Sequence, residues 1–293
     1  MNENAIFYDR IGVLIQEAEL QSIKNIKITN GINEHGKLEF KGIATEEIQD
    51  IHLIEGETPI KIYYYNDEED EECLFYGIIT RIKKEIIGGL YNLDVEAKSY
   101  TYFMDISKKS RSFQNIKMTS HQLIEEVIEG YDSSKYKIKI PNEPIGELVL
   151  QYEETDWEFL KRFASRYSAG LFPEITVQNI RYFIGTPDFL ADSEYKVNNY
   201  IKHENLHKYE DVKANHKEDV KKEECISYEI EIFQVLKLGA YMEIKGIDDF
   251  RGTLYVSSVE HELKDGILHN KYILKTKKGL EQRNIYNNII IKS

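Results

Sequence analysis

The segment His203-Glu204-Asn205-Leu206-His207 matches the pattern H-E-x-x-H. On an α-helix this spacing places two imidazoles one turn apart, where they bind zinc while the glutamate deprotonates the metal-bound water. The preceding residues 197–202 contain two asparagines and are poor helix formers, and no third ligand is marked nearby. We therefore interpret both histidines as surface residues of a strand or loop. A zinc-dependent hydrolase built on His203, Glu204 and His207 is the alternative.

Other residues that suggest chemistry have simpler explanations. Glu153, Glu154 and Asp156 resemble the acids of a glycosidase, but carboxylates at a helix N-terminus are more often partners of the helix dipole. Gly88-Gly89 is typical of a hairpin turn, and His261 lies in an alternating strand pattern that favours a structural role. We predict that the protein is not an enzyme and has no catalytic residue, cofactor or metal.

Two capping boxes predict two helices in the middle of the chain. In the first, Thr119 precedes Gln122 by three residues, and in the second Thr155 precedes Glu158. Apolar residues follow at helical spacing in both segments, and the second stripe is wide enough to be buried on two sides. Gly130 is predicted as a left-handed stop of the first helix, and Gly170 is predicted to end the second.

Strand patterns occupy the chain on both sides of these helices. Ile26 and Ile28 alternate with polar residues, and further on Ile226, Tyr228 and Ile230 share one parity. The acidic run Asn66–Glu72 predicts a solvated hairpin tip. The charge-dense residues 210–224 predict an exposed excursion between strands.

The predicted fold class is mainly β with α (α+β): two β-barrel-like domains flank a small helical middle region. The predicted domains are residues 1–105 (first β-barrel-like domain), 106–180 (helical middle region), 181–275 (second β-barrel-like domain) and 276–293 (C-terminal tail). The polar tail contains Ile285, Ile289, Ile290 and Ile291. We predict that these isoleucines contact a partner.

Composition narrows the possible classes of protein. The chain has 293 residues, of which 38 are basic and 51 acidic, and its net charge is −13. This charge repels phosphate backbones, so neither non-specific nor sequence-specific nucleic-acid binding is expected. Two distant cysteines exclude a disulfide framework. No apolar run is long enough for a membrane helix and no signal peptide is recognisable, so no membrane anchor is expected.

The central segment also resembles a known family. Residues 151–162 are similar to the motif Q-Y-x-E-[ST]-D-x-x-F-L-x-R of the phage tail hub and VgrG-like family, which includes late control protein D. Residues 111–114 resemble its R-x-F-Q segment, and Gly77-Ile78-Ile79 and residues 252–261 are similar to its strands. The motif residues predicted to be structural are Gln151, Tyr152, Glu154, Thr155, Asp156, Trp157, Phe159 and Leu160.

The resemblance implies a non-enzymatic baseplate hub of a contractile injection machine, such as a phage tail or a tailocin. Such a hub is a homotrimer that joins the hexameric tail tube to the trimeric spike. It implies as partners the tail tube protein, a separate spike protein and other baseplate proteins, with assembly in the bacterial cytoplasm. Longer family members continue into a spike, whereas this sequence stops at Ser293. A solitary carbohydrate- or peptide-binding β-module is a further alternative.

Overall fold

The computed structural model describes residues 5–15, 20–45, 58–131, 134–191, 195–197, 199–205, 209–210, 225–247, 250, 252–287 and 289. The predicted excursion at 210–224 lies outside this part of the chain except for its first residue. Strands predominate and helices are few, so the predicted class, mainly β with α, is confirmed.

Six strands form the first β unit. They are β1 (Ile11–Ile15), β2 (Leu20–Gly31), β3 (Lys37–Ala44), β4 (Pro59–Tyr65), β5 (Glu71–Ile87) and β6 (Leu90–Ser99). Ile26 and Ile28 have no exposed surface, whereas Lys27 between them is partly exposed. The alternation in the sequence therefore separates a core face from a solvent face, as expected for period two.

Two tight turns of the first unit agree with the sequence. The acidic segment forms the turn between β4 and β5, where the Asn66 side chain accepts a hydrogen bond from the backbone of Asp70 at 2.9 Å. Gly88 and Gly89 connect β5 to β6 with φ values of 60° and 80°. Positive φ at both central residues is what a two-residue hairpin of this type requires, so the hairpin prediction is confirmed.

The middle of the chain contains the two α-helices that the sequence predicts. A short 3₁₀ helix (Tyr100–Asp105) leads into β7 (Lys109–Phe113), α1 (Ser120–Ile128), β8 (Lys135–Ile138), β9 (Val149–Glu154), α2 (Asp156–Ser165), β10 (Leu171–Pro173) and β11 (Arg181–Ile184). Both predicted capping boxes are present, with Thr119 and Thr155 as the caps. Packing on two sides is also confirmed for α2, in which Trp157, Phe159 and Phe163 are almost fully buried.

The glycine stops were predicted wrongly. Neither Gly130 nor Gly170 has a positive φ, and after α2 the left-handed residue is Ser168, with φ of 54°. Gly170 is required for a different reason, because a Cβ atom there would lie 2.5 Å from Cγ2 of Ile32. The glycine therefore permits a close approach to the first β unit rather than ending the helix.

The second β unit consists of β12 (Phe189–Leu190), β13 (Tyr195–Lys196), β14 (Ile201–Glu204), β15 (Ile226–Ile232), β16 (Ala240–Lys245), β17 (Thr253–Lys264) and β18 (Ile267–Lys275). Both units belong to one sheet of 13 strands, whose main path is β1-β4-β5-β6-β3-β2-β17-β18-β15-β14. Strand β17 joins the units. Its first residues pair with β16, and after a bulge between Val256 and Ser258 it pairs with β2.

Within the described residues, side chains pack into three hydrophobic cores. One is formed mainly by β1–β6, the second by the helices with β7–β11, and the third mainly by β12–β18. Tyr182 and Ile184 pack in the second core, although they follow residue 180. The sheet and the cores both extend across the predicted domain boundaries. This arrangement does not test the boundaries, which stay a prediction.

Candidate functional site

The motif segment connects a strand to a helix through Thr155. β9 ends at Glu154, and Thr155 caps α2 by accepting a hydrogen bond from the backbone of Glu158 at 3.1 Å. The Glu158 carboxylate accepts in return from the backbone of Thr155 at 3.0 Å. The reciprocal bonds satisfy two backbone donors that the helix leaves free. The polar motif residues are thereby held at one strand–helix junction.

Asp156 is the centre of a polar network at this junction. Its side chain is fully buried and accepts hydrogen bonds from Tyr131 at 2.8 Å and from Gln151 at 3.0 Å, and it also pairs with Lys109 and Arg111. Burial and this carboxylate raise the pKa of the Tyr131 hydroxyl, because both oppose a phenolate. A buried carboxylate with four donors is compensated and fixed in place.

The two sequence segments that resemble the family meet in this network. β7 pairs with β9 so that Arg111 lies opposite Gln151, and Arg111 Nε donates to the Gln151 side chain at 2.8 Å. Arg111 comes from the R-x-F-Q segment and Gln151 from the longer motif. Forty residues of sequence thus separate groups that the fold places in direct contact.

A second ion pair lies beside the first. Arg162 donates to both Glu154 oxygens at 2.7 Å, and the two side chains are only 8% and 11% exposed. The guanidinium also donates to the Leu150 carbonyl and lies 5.3 Å from the centre of the Phe159 ring. This bidentate pair ties the middle of α2 to the end of β9.

Trp157 links α2 to the first β unit. Its ring is 1% exposed, and its Nε1 donates to the carbonyl of Asn33 at 3.2 Å. It packs against His35, with ring centres 4.7 Å apart, and against Tyr182 at 5.6 Å. Leu160 and Phe159 are equally buried, whereas the Tyr152 side chain is 46% exposed. Most motif residues therefore face the protein interior.

His35, Thr101 and Asp105 form the arrangement most like a catalytic triad. His35 Nε2 lies 3.1 Å from Asp105 and Nδ1 lies 2.9 Å from the Thr101 hydroxyl. Burial lowers the pKa of His35, although Asp105 opposes this, so the ring is neutral. Thr101 has no exposed surface and Asp105 also accepts from Thr155. Because a substrate has no access to the hydroxyl, we assign the group to holding the turn before β3 against α2.

The H-E-x-x-H segment does not form a zinc-binding helix at its first two residues. His203 and Glu204 lie on β14 and are exposed, with His203 Nε2 3.3 Å from Glu229. The surface-strand interpretation is confirmed for these two residues, and His207 lies outside the described residues. Within the described part of the chain, no three potential ligands are grouped to hold a metal. His261 has a structural place, buried on β17 and bonded to Asn270 at 2.7 Å.

The C-terminal tail follows the surface beside α2. The backbone of Ile285 donates to the Ser165 hydroxyl and the Asn287 side chain donates to the Tyr152 carbonyl, both at 2.9 Å. The side chains of Ile285 and Ile289 are 38% and 50% exposed. Ile290 and Ile291 lie outside the described residues. We define the tail face by its exposed apolar residues, which are Leu148, Tyr152, Ile285, Tyr286 and Ile289.

Sequence reasoning named the acidic members of the network but missed their cationic partners. Arg111 and Arg162 belong to the two segments that resemble the family, and the basic residue at a fixed position of each motif could have identified them as partners. Lys109 and Tyr131 had no such signal. Their approach to Asp156 depends on how β7 and the end of α1 pack, which local spacing does not specify.

No helix among the described residues is long and apolar enough to cross a membrane.

Comparisons with known proteins agree with this architecture. Residues 57–175 match the family model of the phage tail baseplate hub (GPD). The E. coli c3393 protein, a component of the type VI secretion system, superposes with a TM-score of 0.69 and 12% identity over 94% of this chain and 80% of that one. The 43 kDa tail protein of prophage MuSo2 from Shewanella oneidensis gives 0.66 and 11% identity over 94% and 99%.

A chain of the Francisella PdpA–VgrG complex gives a TM-score of 0.56 with 9% identity, over 95% of this chain and 59% of that chain. A search of curated protein sequences finds no match. The structural likenesses establish the fold, and the matched segment contains the strand–helix junction described above. Residues 57–175 therefore match the baseplate hub family, and the resemblance of the central segment to the phage tail hub and VgrG-like family is confirmed.

Proposed function

We propose that the chain is a non-enzymatic hub that assembles as a homotrimer and joins a hexameric tail tube to a trimeric spike. The observation that carries this proposal is the seam between β2 and β17, which binds the two β units side by side. Five residue pairs form the seam, from Ser258 opposite Gly31 to Glu262 opposite Lys27. Lys27 and Glu260 add an ion pair across it at 3.1 Å.

The seam supports the proposed symmetry. Two β units held in a fixed relation act as one rigid pair, and a cyclic trimer of such pairs presents six units in a ring. A hexameric tube can contact six similar surfaces, whereas a trimeric spike contacts three identical ones. The hub is then assembled in the bacterial cytoplasm and becomes part of the baseplate of a phage tail or a related particle.

The tail face is the proposed contact for the separate spike protein. Its five apolar side chains are between 38% and 65% exposed. Ile285 and Tyr286 line one groove with Glu147 and Arg166, and Asn287 anchors the same segment to Tyr152. Exposed apolar side chains with charged residues beside them are typical of protein interaction sites.

The oligomeric state tests the first part of the proposal. Light scattering on the purified protein alone should give three times the chain mass of 34.4 kDa, and complexes with a tube protein and a spike protein should contain three copies of this chain. Electron microscopy of the same sample should show a ring with six lobes. A protein that stays monomeric at high concentration, even with both partners present, would contradict the trimeric hub.

Substitutions on the tail face test the second part. Tyr286→Asp should weaken spike binding by at least about tenfold, because it places a charge in an apolar contact. Leu190→Asp is a matched control, since Leu190 is 66% exposed and Tyr286 is 65% exposed. Equal spike affinity of the two variants, measured by biolayer interferometry on trimeric samples, would remove the tail face from the proposal and leave the trimer standing.

A further inference from the structure

A cavity of about 350 Å³ lies at the seam between the two β units. Leu74 of the first unit, Phe172 and Phe183 of the β10–β11 hairpin, and Leu236 and Val259 of the second unit contribute to its wall. Its volume is within the range of small-ligand sites, and its wall combines polar groups with aromatic rings of the kind that bind organic rings. The hub function proposed above does not use it.

Asn30 is one of two buried polar side chains in this wall. It is 6% exposed, and its Nδ2 donates to the Pro173 carbonyl at 3.2 Å. This bond fixes the amide orientation, so Oδ1 is the atom left over. Oδ1 has no hydrogen-bond partner in the described part of the chain. A buried acceptor without a donor is unfavourable, and a ligand with an N–H or O–H group would relieve that cost.

His261 is the other polar side chain, and it lies close to Asn30 along the seam. Asn270 donates through its Nδ2 to the Phe233 carbonyl at 2.7 Å, so its Oδ1 is an acceptor. The contact from His261 Nδ1 to that oxygen, also 2.7 Å, must then be donated by the histidine. Burial lowers the pKa of His261 to about 4, so the ring is neutral and its Nε2 is an acceptor.

The two buried polar side chains of the wall therefore offer acceptors, and neither of them carries a charge. Glu174 at the rim is already paired with Arg181 at 3.3 Å and lies 3.7 Å from Lys237, so it does not supply an uncompensated charge for a cation. We propose that the seam cavity binds an aromatic ring that carries a neutral N–H or O–H donor. Two sources have this chemistry: a free small molecule, and a tryptophan or tyrosine side chain of a partner protein.

Indole and benzothiophene provide the test, because the two rings are similar in size and only indole has a donor. Calorimetric titration of the full-length protein should show saturable indole binding, at least about tenfold tighter than benzothiophene binding. In Asn30→Leu the preference for indole should shrink to less than about threefold, whereas Asn115→Leu, an exposed asparagine, should keep it. Equal affinity of both probes for the unaltered protein, or no saturable binding, would overturn the proposal.

Leu236→Trp is a second variant, which tests the proposal if Asn30→Leu does not fold. The larger side chain fills the cavity and should abolish binding of both probes. Unchanged indole binding would place the site elsewhere and overturn the proposal. The tripeptide Ala-Trp-Ala distinguishes the two sources. Binding as tight as that of indole supports a partner side chain, and exclusion of the tripeptide supports a free small molecule. Neither result depends on whether the chain forms trimers.

Discussion

The strand–helix junction at Thr155 and the strand β14 both contain acidic and basic residues in patterns that resemble catalytic motifs, yet the two regions differ in burial. At the junction, Asp156 has no exposed surface and Arg162 is 7% exposed, and both of these charges are paired. On β14, His203 and Glu204 are exposed to solvent. Removing one partner of a buried ion pair leaves an uncompensated charge, whereas an exposed pair contributes little, so substitutions of the same residue types should have unequal effects in the two regions.

The two regions should differ most in the free energy of unfolding that is lost when an aromatic or imidazole ring is removed. Trp157→Ala should lower the free energy of unfolding by about 3–5 kcal/mol, because it opens a cavity in the second core. His203→Ala should change it by less than about 0.5 kcal/mol, since the side chain lies at the surface. Urea unfolding followed by circular dichroism measures both. A loss below about 1 kcal/mol for Trp157→Ala would contradict the burial of α2.

The ion pairs of the two regions should differ almost as much. Arg162→Met leaves the buried Glu154 carboxylate unpaired and should cost about 3 kcal/mol. Lys202→Met removes a surface partner of Glu204 and should cost less than about 1 kcal/mol. Adding Glu154→Gln to Arg162→Met should restore part of the loss. If the double variant is no more stable than the single one, the cost does not come from the uncompensated charge.

The buried histidines make stability depend on pH. Burial lowers the pKa of His35 and of His261, the latter to about 4, below the usual 6.5. The unfolded chain then binds more protons, so stability is retained above pH 6.5 and lost as the pH falls from 6.5 toward 4, by up to ~1.4 kcal/mol per pH unit per group. Unfolding titrations at several pH values should show this slope, and His261→Phe should reduce it. An unchanged slope in that variant would contradict the assignment.

The smallest effect is expected for the helix caps. Thr155→Ala should cost about 1–2 kcal/mol, since it removes the cap of α2 and a hydrogen bond to Asp105. Thr119→Ala removes only the cap of α1 and should cost about 1 kcal/mol or less. Thermal unfolding of both variants compares them directly. A larger loss for Thr119→Ala would reverse the expected ranking.

The sequence predicts local features of this fold well. Alternation placed Ile26 and Ile28 on a core face, and capping boxes located the first turns of α1 and α2, because both signals depend on neighbouring residues. The seam between β2 and β17 was not predicted. Pairing of residues so far apart in the chain depends on tertiary packing and leaves no local signal. The same reason explains why Lys109 and Tyr131 were missed as partners of Asp156.

Glycine positions show a further limit of sequence reasoning. Gly170 lies where a helix stop is common, but its small size is required for the close contact with Ile32. The residue that adopts the left-handed conformation is Ser168. For the site itself, sequence reasoning identified the motif residues, and the resemblance supplied their role. The predicted contact residues Ile285 and Ile289 are exposed, and whether they bind a partner stays a prediction.

The bulge in β17 has a mechanical consequence. Since one uninterrupted strand hydrogen-bonds first to β16 and then to β2, the two β units are joined at this point by sheet rather than by a flexible linker. A force along the strand direction would load the backbone bonds on both sides of the bulge together rather than opening them one after another. The junction between the two β units is thereby expected to resist bending.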